Sequence, residues 1–232
     1  MRFSSLLSAL FLSLAAVVAP TYATAITFTT SSAEFNAGVL NQGWWSSGPS
    51  HNNGTGNDNH YTGLAGSDIL RSFYTFDLTS LTSLTSLTET ATSATFRVKR
   101  GGQSGTANVE MWDVSTDAAL LNANNGTNAT IFSDIGSGNS YGISTVSTGN
   151  SSDYLSFTLN SQALSDIAAA SGFFSIGVSL SNVGGNIFSG TGGDVTYLDV
   201  TTVAVPEPAT LALFGLGLLG LAVLRKRKQS SK

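Results

Sequence analysis

The chain has 232 residues and no cysteine, and only 10% of its residues are charged. The lack of cysteine excludes disulfides, zinc–thiolate sites, haem attachment and thiol catalysis. Residues 26–204 contain four basic and thirteen acidic residues, a net charge of −9, which excludes nucleic-acid binding through phosphate neutralisation. Abundant Ser, Thr, Asn and Gly predict a neutral, hydrogen-bonding surface that suits hydrated polysaccharide.

The amino terminus has the pattern of a secretory signal peptide. Met1 and Arg2 form a short positive region, Leu6 to Ala19 is apolar, and Ala23-Thr24-Ala25 is an A-x-A cleavage site. We therefore assign residues 1–25 to a signal peptide. Residues 26–204 then form one extracellular domain, long enough to bury ~70% of its unfolded surface without disulfides.

Period-2 alternation of apolar and polar residues predicts strands along this domain. It is clearest in Ala94 to Lys99, in Leu155, Phe157 and Leu159, and in Phe174 to Leu180. Further strands are predicted at residues 26–30, 69–78, 107–114, 141–146 and 195–203, and clusters of Gly, Asn and Asp typical of turns separate them. The sequence thus predicts an all-β, antiparallel two-sheet sandwich, jelly-roll-like, with one short helix.

The short helix is predicted at residues 161–170. Leu164, Ile167 and Ala168 have helical spacing, Asn160 or Ser161 is the N-cap and Gly172 ends the segment. Upstream, Leu-Thr-Ser recurs three times from Leu78; because period 3 fits neither strand nor helix, we interpret it as an expanded loop packed by its leucines.

Two stretches resemble a known family. Residues 71–78 read Arg-Ser-Phe-Tyr-Thr-Phe-Asp-Leu, and residues 92–98 read Thr-Ser-Ala-Thr-Phe-Arg-Val. Together they are similar to two strands of DNRLRE-type domains, which are jelly rolls of extracellular bacterial proteins related to carbohydrate-binding modules. The resemblance implies that fold and, more loosely, a carbohydrate ligand.

Aromatic residues provide the functional hypothesis for the domain. Trp44 and Trp45 begin a Gly- and Asn-rich stretch that ends at Tyr61. Adjacent side chains in an extended chain point to opposite faces, so one tryptophan can anchor the core while the other is exposed. Trp44, Trp45 and Tyr61 are therefore the candidate glycan-binding residues, since aromatic rings stack on sugars; the alternative is that both tryptophans are packed.

No catalytic or metal site is assigned. The G-x-G-x-x-G match at residues 215–220 lies in an apolar run without a preceding strand, and Glu110 with Asp113, or Asp194 with Asp199, are only the nearest carboxylate pairs. His51, Asp58 and His60 lack a recognised ligand spacing. No cofactor is expected; calcium is left open, although the EF-hand order is absent.

The carboxyl terminus combines three features in series. Pro206-Glu207-Pro208 precedes an apolar run at residues 209–224, and Arg225, Lys226, Arg227 and Lys228 follow it. The run predicts a short transmembrane helix whose basic end lies in the cytoplasm. The arrangement resembles the PEP-CTERM sorting signal at residues 205–232. This resemblance implies that an exosortase recognises Pro206, Glu207 and Pro208 and that the protein is sorted to the cell surface or extracellular matrix.

These observations predict an exported β-sandwich with a non-catalytic role in adhesion or in the exopolysaccharide matrix, anchored by its carboxy-terminal helix. A secreted glycan-active enzyme and a structural coat protein are the alternatives. A cleft with two inward carboxylates would favour the enzyme, an exposed Trp or Tyr groove would favour glycan binding, and neither would favour the coat protein.

Overall fold

The computed structural model describes residues 23–31, 35, 40–48, 59–81, 89–100, 106–123, 128–147, 153–182, 186–189 and 194–204. Residues 23–203 form one compact unit. Its strands are β1 Ala23–Thr29, β2 Gln42–Ser46, β3 Tyr61–Ala65, β4 Asp68–Asp77, β5 Glu89–Lys99, β6 Ala107–Asp113, β7 Ser140–Val146, β8 Tyr154–Thr158, β9 Phe173–Leu180, β10 Asn186–Ser189 and β11 Tyr197–Ala204. Its helices are α1 Ala118–Leu121, α2 Ala129–Asp134 and α3 Ser161–Ala169.

The strands form two antiparallel sheets. The smaller sheet has the order β1-β11-β5-β8, and the larger has the order β10-β3-β4-β9-β6-β7, with β2 also paired to β4. Side chains from both sheets meet in one apolar core, in which Phe96 of β5 contacts the rings of Tyr74, Phe76 and Phe157. The predicted two-sheet β-sandwich is therefore confirmed, whereas the finer jelly-roll assignment stays a prediction.

The three clearest predicted strands are confirmed as β5, β8 and β9. In β5, Ala94, Phe96 and Val98 are buried while Thr95, Arg97 and Lys99 are partly exposed, as alternation requires. The short strands β2, β3 and β10 were not predicted. Each has only four or five residues, and neither Trp44-Trp45 nor the glycine of β3 produces a clean alternation.

A second, smaller core lies on the other face of the larger sheet. It contains Trp45, Phe73, Leu121, Ile131 and Ile135. The last three belong to α1, α2 and the turn that follows α2, so the prediction of one helix was incomplete. The side chains of Asp117 and Asn128 cap these helices, which are too short for a recognisable periodicity.

A glycine allows this layer to approach the sheet. A Cβ on Gly177 of β9 would lie 2.2 Å from the backbone oxygen of Ile135. Only a residue without a side chain therefore permits this contact. Ser175 and Ser179, on the polar side of β9, are also buried. Their hydroxyls bond to side chains of the neighbouring strands, Ser175 to Thr75 and Ser179 to Trp112.

Helix α3 confirms the predicted helix within one residue. The Oδ1 atom of Asn160 accepts hydrogen bonds from the backbone N–H groups of Gln162 and Ala163 at 3.0 and 3.1 Å. Ala163 and Ile167 are buried in the main core, whereas Ala168 is exposed rather than packed. The helix thus covers the sandwich through one narrow apolar stripe.

Most of the two predicted terminal segments falls outside the described residues. Within the described part of the chain, no helix is long and apolar enough to cross a membrane; the predicted span at 209–224, the sorting residues Pro206, Glu207 and Pro208 and the basic residues 225–228 are not among those described. Ala23 and Ala25 of the predicted cleavage site lie in the exposed first half of β1.

Candidate functional site

The predicted aromatic residues separate into a core anchor and two half-buried side chains. Trp45 is only 2% exposed, and its Nε1 atom donates a hydrogen bond to the backbone oxygen of Leu121 at 3.2 Å. Trp45 is thus a structural residue, which corrects its assignment as a glycan contact. Trp44 and Tyr61 are half-buried, and the residues described between them are 45–48, 59 and 60.

A buried polar network connects β2 to the ends of neighbouring strands. The Oε1 atom of Gln42 accepts hydrogen bonds from the hydroxyls of Thr30 and Thr196 at 2.8 and 2.9 Å. Its Nε2 atom donates to the backbone oxygen of Asp194 at 2.8 Å and lies 3.5 Å from Nδ1 of His60. Since the backbone oxygen of Asp194 can only accept, it fixes the orientation of the Gln42 amide, and Nδ1 of His60 faces a donor and must act as an acceptor.

His60 is therefore a neutral, structural histidine. Its Nε2 atom donates to the backbone oxygen of Lys99 at 3.2 Å, and the imidazole packs against the ring of Tyr74. Burial lowers its pKa to about 4. The hydrogen bond to the backbone oxygen of Lys99 and the charge of Asp194 raise this pKa by less, and the charge of Lys99 lowers it. Both ring nitrogens of His60 thus have hydrogen-bond partners within the protein, so His60 is a poor candidate for a metal ligand.

The outer face of the smaller sheet carries a cluster of aromatic and ionic side chains. The rings of Tyr154 and Tyr197 meet edge to face with centroids 5.5 Å apart, and the Arg97 guanidinium lies 4.5 Å from the Tyr197 ring centroid. Asp199 accepts from Nε of Arg97 at 2.5 Å. We call the surface formed by Arg97, Tyr154, Tyr197 and Asp199 the tyrosine face. Tyr154 is 40% exposed, so an aromatic surface is available to solvent.

The tyrosine face is electrically neutral although the domain is acidic. Arg97 is paired with Asp199, and Lys99 at the end of β5 is paired with Asp194 at 2.6 Å. Side chains of these residues keep about a fifth to a third of their surface in water. Because exposed ion pairs are weak, their polar atoms can still exchange partners with a ligand.

The tyrosine face adjoins one end of the predicted aromatic segment. His60, the neighbour of Tyr61, bonds to Lys99, and Lys99 lies opposite Tyr154 in the register of β5 and β8. The structure therefore brings the end of the predicted glycan loop to the edge of this face. Tyr154 has one sequence signal: it is an aromatic residue on the polar side of an alternating strand.

A cleft of about 310 Å³ opens on the larger sheet. Its lining residues include Asp113, Tyr141, Asp166, Phe173 and Phe174. The hydroxyl of Tyr141 donates to Asp166 at 3.1 Å, and the rings of Tyr141 and Phe174 are stacked. Phe173 is 40% exposed, so the cleft combines an apolar surface with two carboxylates.

Asp113 is held in the cleft by the turn before β7. Its Oδ1 atom accepts from the backbone N–H of Asn139 at 2.6 Å. Gly138 has φ of +96°, and a Cβ there would lie 2.2 Å from Oδ1 of Asp113, so this turn requires glycine. Burial raises the pKa of Asp113, and the negative charges of Asp166 and Asp134 raise it further.

The carboxylate pairs considered from sequence do not form. Asp113 shares the cleft with Asp166 rather than with Glu110. Asp194 and Asp199 are each occupied by a basic side chain. Nothing in the sequence indicated that Asp113 and Asp166 line the same cleft. They are 53 positions apart, and only the packing of α3 brings them together.

These features define a β-sandwich with a neutral aromatic face and a separate acidic cleft. The PEP-CTERM protein-sorting motif matches residues 204–228, which include the predicted Pro-Glu-Pro, apolar run and basic end. Since exosortase processes PEP-CTERM domains, the motif implies that the chain is exported and sorted by exosortase to the extracellular surface. No match to a curated protein was found. The DNRLRE-type resemblance stays a prediction.

Proposed function

We propose that the exported domain is a non-catalytic component of the cell surface or extracellular matrix that binds a neutral polysaccharide through the tyrosine face. The observation that carries this proposal is the edge-to-face pair of the exposed Tyr154 and the half-buried Tyr197, bordered by hydrogen-bonding side chains. Aromatic rings provide apolar surface for a sugar ring, and neighbouring polar groups orient its hydroxyls.

The charge of the face supports a neutral glycan as the ligand. Arg97 and Lys99 are both paired with carboxylates, so the face offers no excess positive charge to an acidic polysaccharide. The domain as a whole carries a charge of −9, which repels polyanions. Binding by stacking and hydroxyl hydrogen bonds should depend little on salt.

Affinity electrophoresis tests the proposal. Gels that contain the neutral exopolysaccharide of the producing organism should retard the wild-type protein, and Tyr154→Ala and Tyr197→Ala should each remove most of the retardation. Trp44→Ala and Tyr61→Ala test whether the ligand extends onto the adjoining segment. Leu120→Ala is the matched control, since Leu120 is an exposed apolar residue on α1.

The result that would refute glycan binding at this face is equal mobility of the wild type and both tyrosine variants in the presence of the polysaccharide. If the wild type itself is not retarded, the coat-protein alternative is favoured. Salt at 0.5 M shortens the Debye length to about 4 Å and so screens interactions between charges. A mobility shift that disappears at this salt concentration would instead indicate binding by charge.

The enzyme alternative is favoured by one observation, the shared cleft of Asp113 and Asp166. Against it, the two oxygens of Asp166 accept from Tyr141 and Gln162, so this carboxylate is engaged by the protein itself. We expect no release of reducing ends from the polysaccharide. Release by the wild type that is lost in Asp113→Asn would establish an enzyme.

A further inference from the structure

The cleft on the larger sheet lies apart from the tyrosine face and carries its own chemistry. It is formed by the end of β6, the start of β7, α3 and the start of β9, whereas the tyrosine face lies on the smaller sheet. We propose that this cleft is a second binding site, which takes a sugar-sized ligand bearing an ammonium group, with Phe173 as its apolar contact and Asp113 and Asp166 as its ionic contacts.

The size of the cleft and its exposed ring indicate the body of the ligand. A volume of about 310 Å³ is at the lower end for small-molecule sites and suits one sugar ring. Phe173 remains 40% exposed at the start of β9, although its neighbour Phe174 is buried. The ring of Phe173 also packs against the ring of Phe35, with centroids 4.7 Å apart. Its remaining exposed surface lines the concavity and is available to the apolar side of a sugar ring or to a cation.

The charge of the cleft indicates the ammonium group. None of the described lining residues is basic. The two ion pairs found among the described residues, Arg97–Asp199 and Lys99–Asp194, both lie at the smaller sheet. Asp113 and Asp166 are thus balanced only by neutral donors, and partly buried carboxylates without a cation are costly. A ligand cation would supply the missing charge.

The hydrogen bonding of the two carboxylates leaves room for such a cation. Asp113 accepts from Asn139, and Asp166 accepts from Tyr141 and Gln162. Since two carboxylate oxygens offer about four acceptor positions, each group can still accept from an ammonium N–H. The raised pKa of Asp113 agrees with a negative site that lacks its counter-charge.

Calcium is a less suitable occupant than an ammonium group. Calcium takes about six to eight oxygen ligands. Within the described part of the chain, no group of three or more histidine, aspartate or glutamate side chains could hold a metal ion. The side chains of Phe173, Phe174 and Ala170, which line one wall of the cleft, also carry no oxygen that could bind calcium.

Calorimetric titration with glucosamine, glucose and N-acetylglucosamine tests the assignment. The full chain, solubilised in a mild non-ionic detergent at pH 6, should bind glucosamine at least tenfold more tightly than the two neutral sugars. Asp113→Asn and Asp166→Asn should each weaken glucosamine binding at least tenfold, because they remove a charge and keep the side-chain shape. Asp153→Asn, which neutralises an exposed carboxylate beside β8, should leave it unchanged.

Further variants keep the test independent of folding. Phe173→Ala should weaken glucosamine binding even if a carboxylate variant fails to fold, and Leu120→Ala, which changes an exposed apolar residue outside both sites, should bind glucosamine normally. Equal affinity for glucose and glucosamine, no binding of either at millimolar concentration, or full binding by both carboxylate variants would overturn the proposal. Displacement of glucosamine by micromolar calcium would also overturn it, because the site would then be a metal site.

Discussion

Mild acid should destabilise this domain through the protonation of His60. The folded structure holds His60 as a neutral donor to Lys99 and acceptor beside Gln42, with 1% of its surface exposed. Its pKa is about 4 in the folded state and 6.5 in an ordinary environment. The unfolded chain therefore binds a proton more readily than the folded chain as the pH falls below 6.5, so stability is complete above that pH and is lost towards pH 4.

The expected loss can be worked out from these two values. Since a tenfold change in proton affinity is worth ~1.4 kcal/mol, the full difference corresponds to about 3 kcal/mol. At pH 5 about 2 kcal/mol of this should already be lost. Asp113 acts in the opposite direction, because its raised pKa favours the folded state when it takes up a proton. Comparison of the wild type with His60→Gln separates the effect of His60 from that of Asp113.

Urea unfolding of residues 26–204 at pH 7, 6 and 5 measures this loss. The wild type should lose about 2 kcal/mol over the range, and His60→Gln should lose much less because it has no imidazole to protonate. His51→Gln is the control, since His51 is the other histidine of the chain. A free energy of unfolding that is flat between pH 7 and pH 5, or a loss that persists in His60→Gln, would refute the reasoning.

Four further perturbations have expected outcomes. Phe96→Ala should cost ~3 to 5 kcal/mol in urea unfolding, because its ring contacts three others in the core, and a loss under ~1 kcal/mol would contradict its packing. Trp45→Ala should cost a similar amount and Trp44→Ala clearly less, which near-ultraviolet circular dichroism and unfolding can compare. Gly138→Ala should lower thermal stability and shift the NMR signals of the cleft; unchanged spectra would contradict the close approach to Asp113. Neutralising residues 225–228 should impair surface sorting, as measured by cell fractionation, and normal sorting would count against the basic end as part of the signal.

Local patterns were sufficient to predict much of the fold. The alternation in β5, β8 and β9 reflects one buried and one exposed face, a constraint that every residue of the strand carries. The cap of α3 by Asn160 is also local, since donor and acceptors lie within three residues. Strand β2 and the helices α1 and α2 escaped prediction because they are too short to repeat a pattern and are stabilised by the second core instead.

The candidate sites show the same division between local and long-range information. Trp44 and Trp45 could be predicted to point to opposite faces, but only the helical layer of Leu121, Ile131 and Ile135 decides that Trp45 is the buried one. Tyr154 could be placed on the polar side of its strand, whereas its contact with Tyr197 depends on which strands are neighbours in the sheet.

The sequence by itself determined the class and destination of the protein: an all-β domain with a PEP-CTERM motif at residues 204–228. Both follow from contiguous residues, because a strand and a sorting motif are defined by order and spacing along the chain. The tertiary structure decided which side chains share a site. Asp113 and Asp166 line one cleft, and His60 is neutral beside Lys99, only because strand order and helix packing set distances between residues remote in sequence.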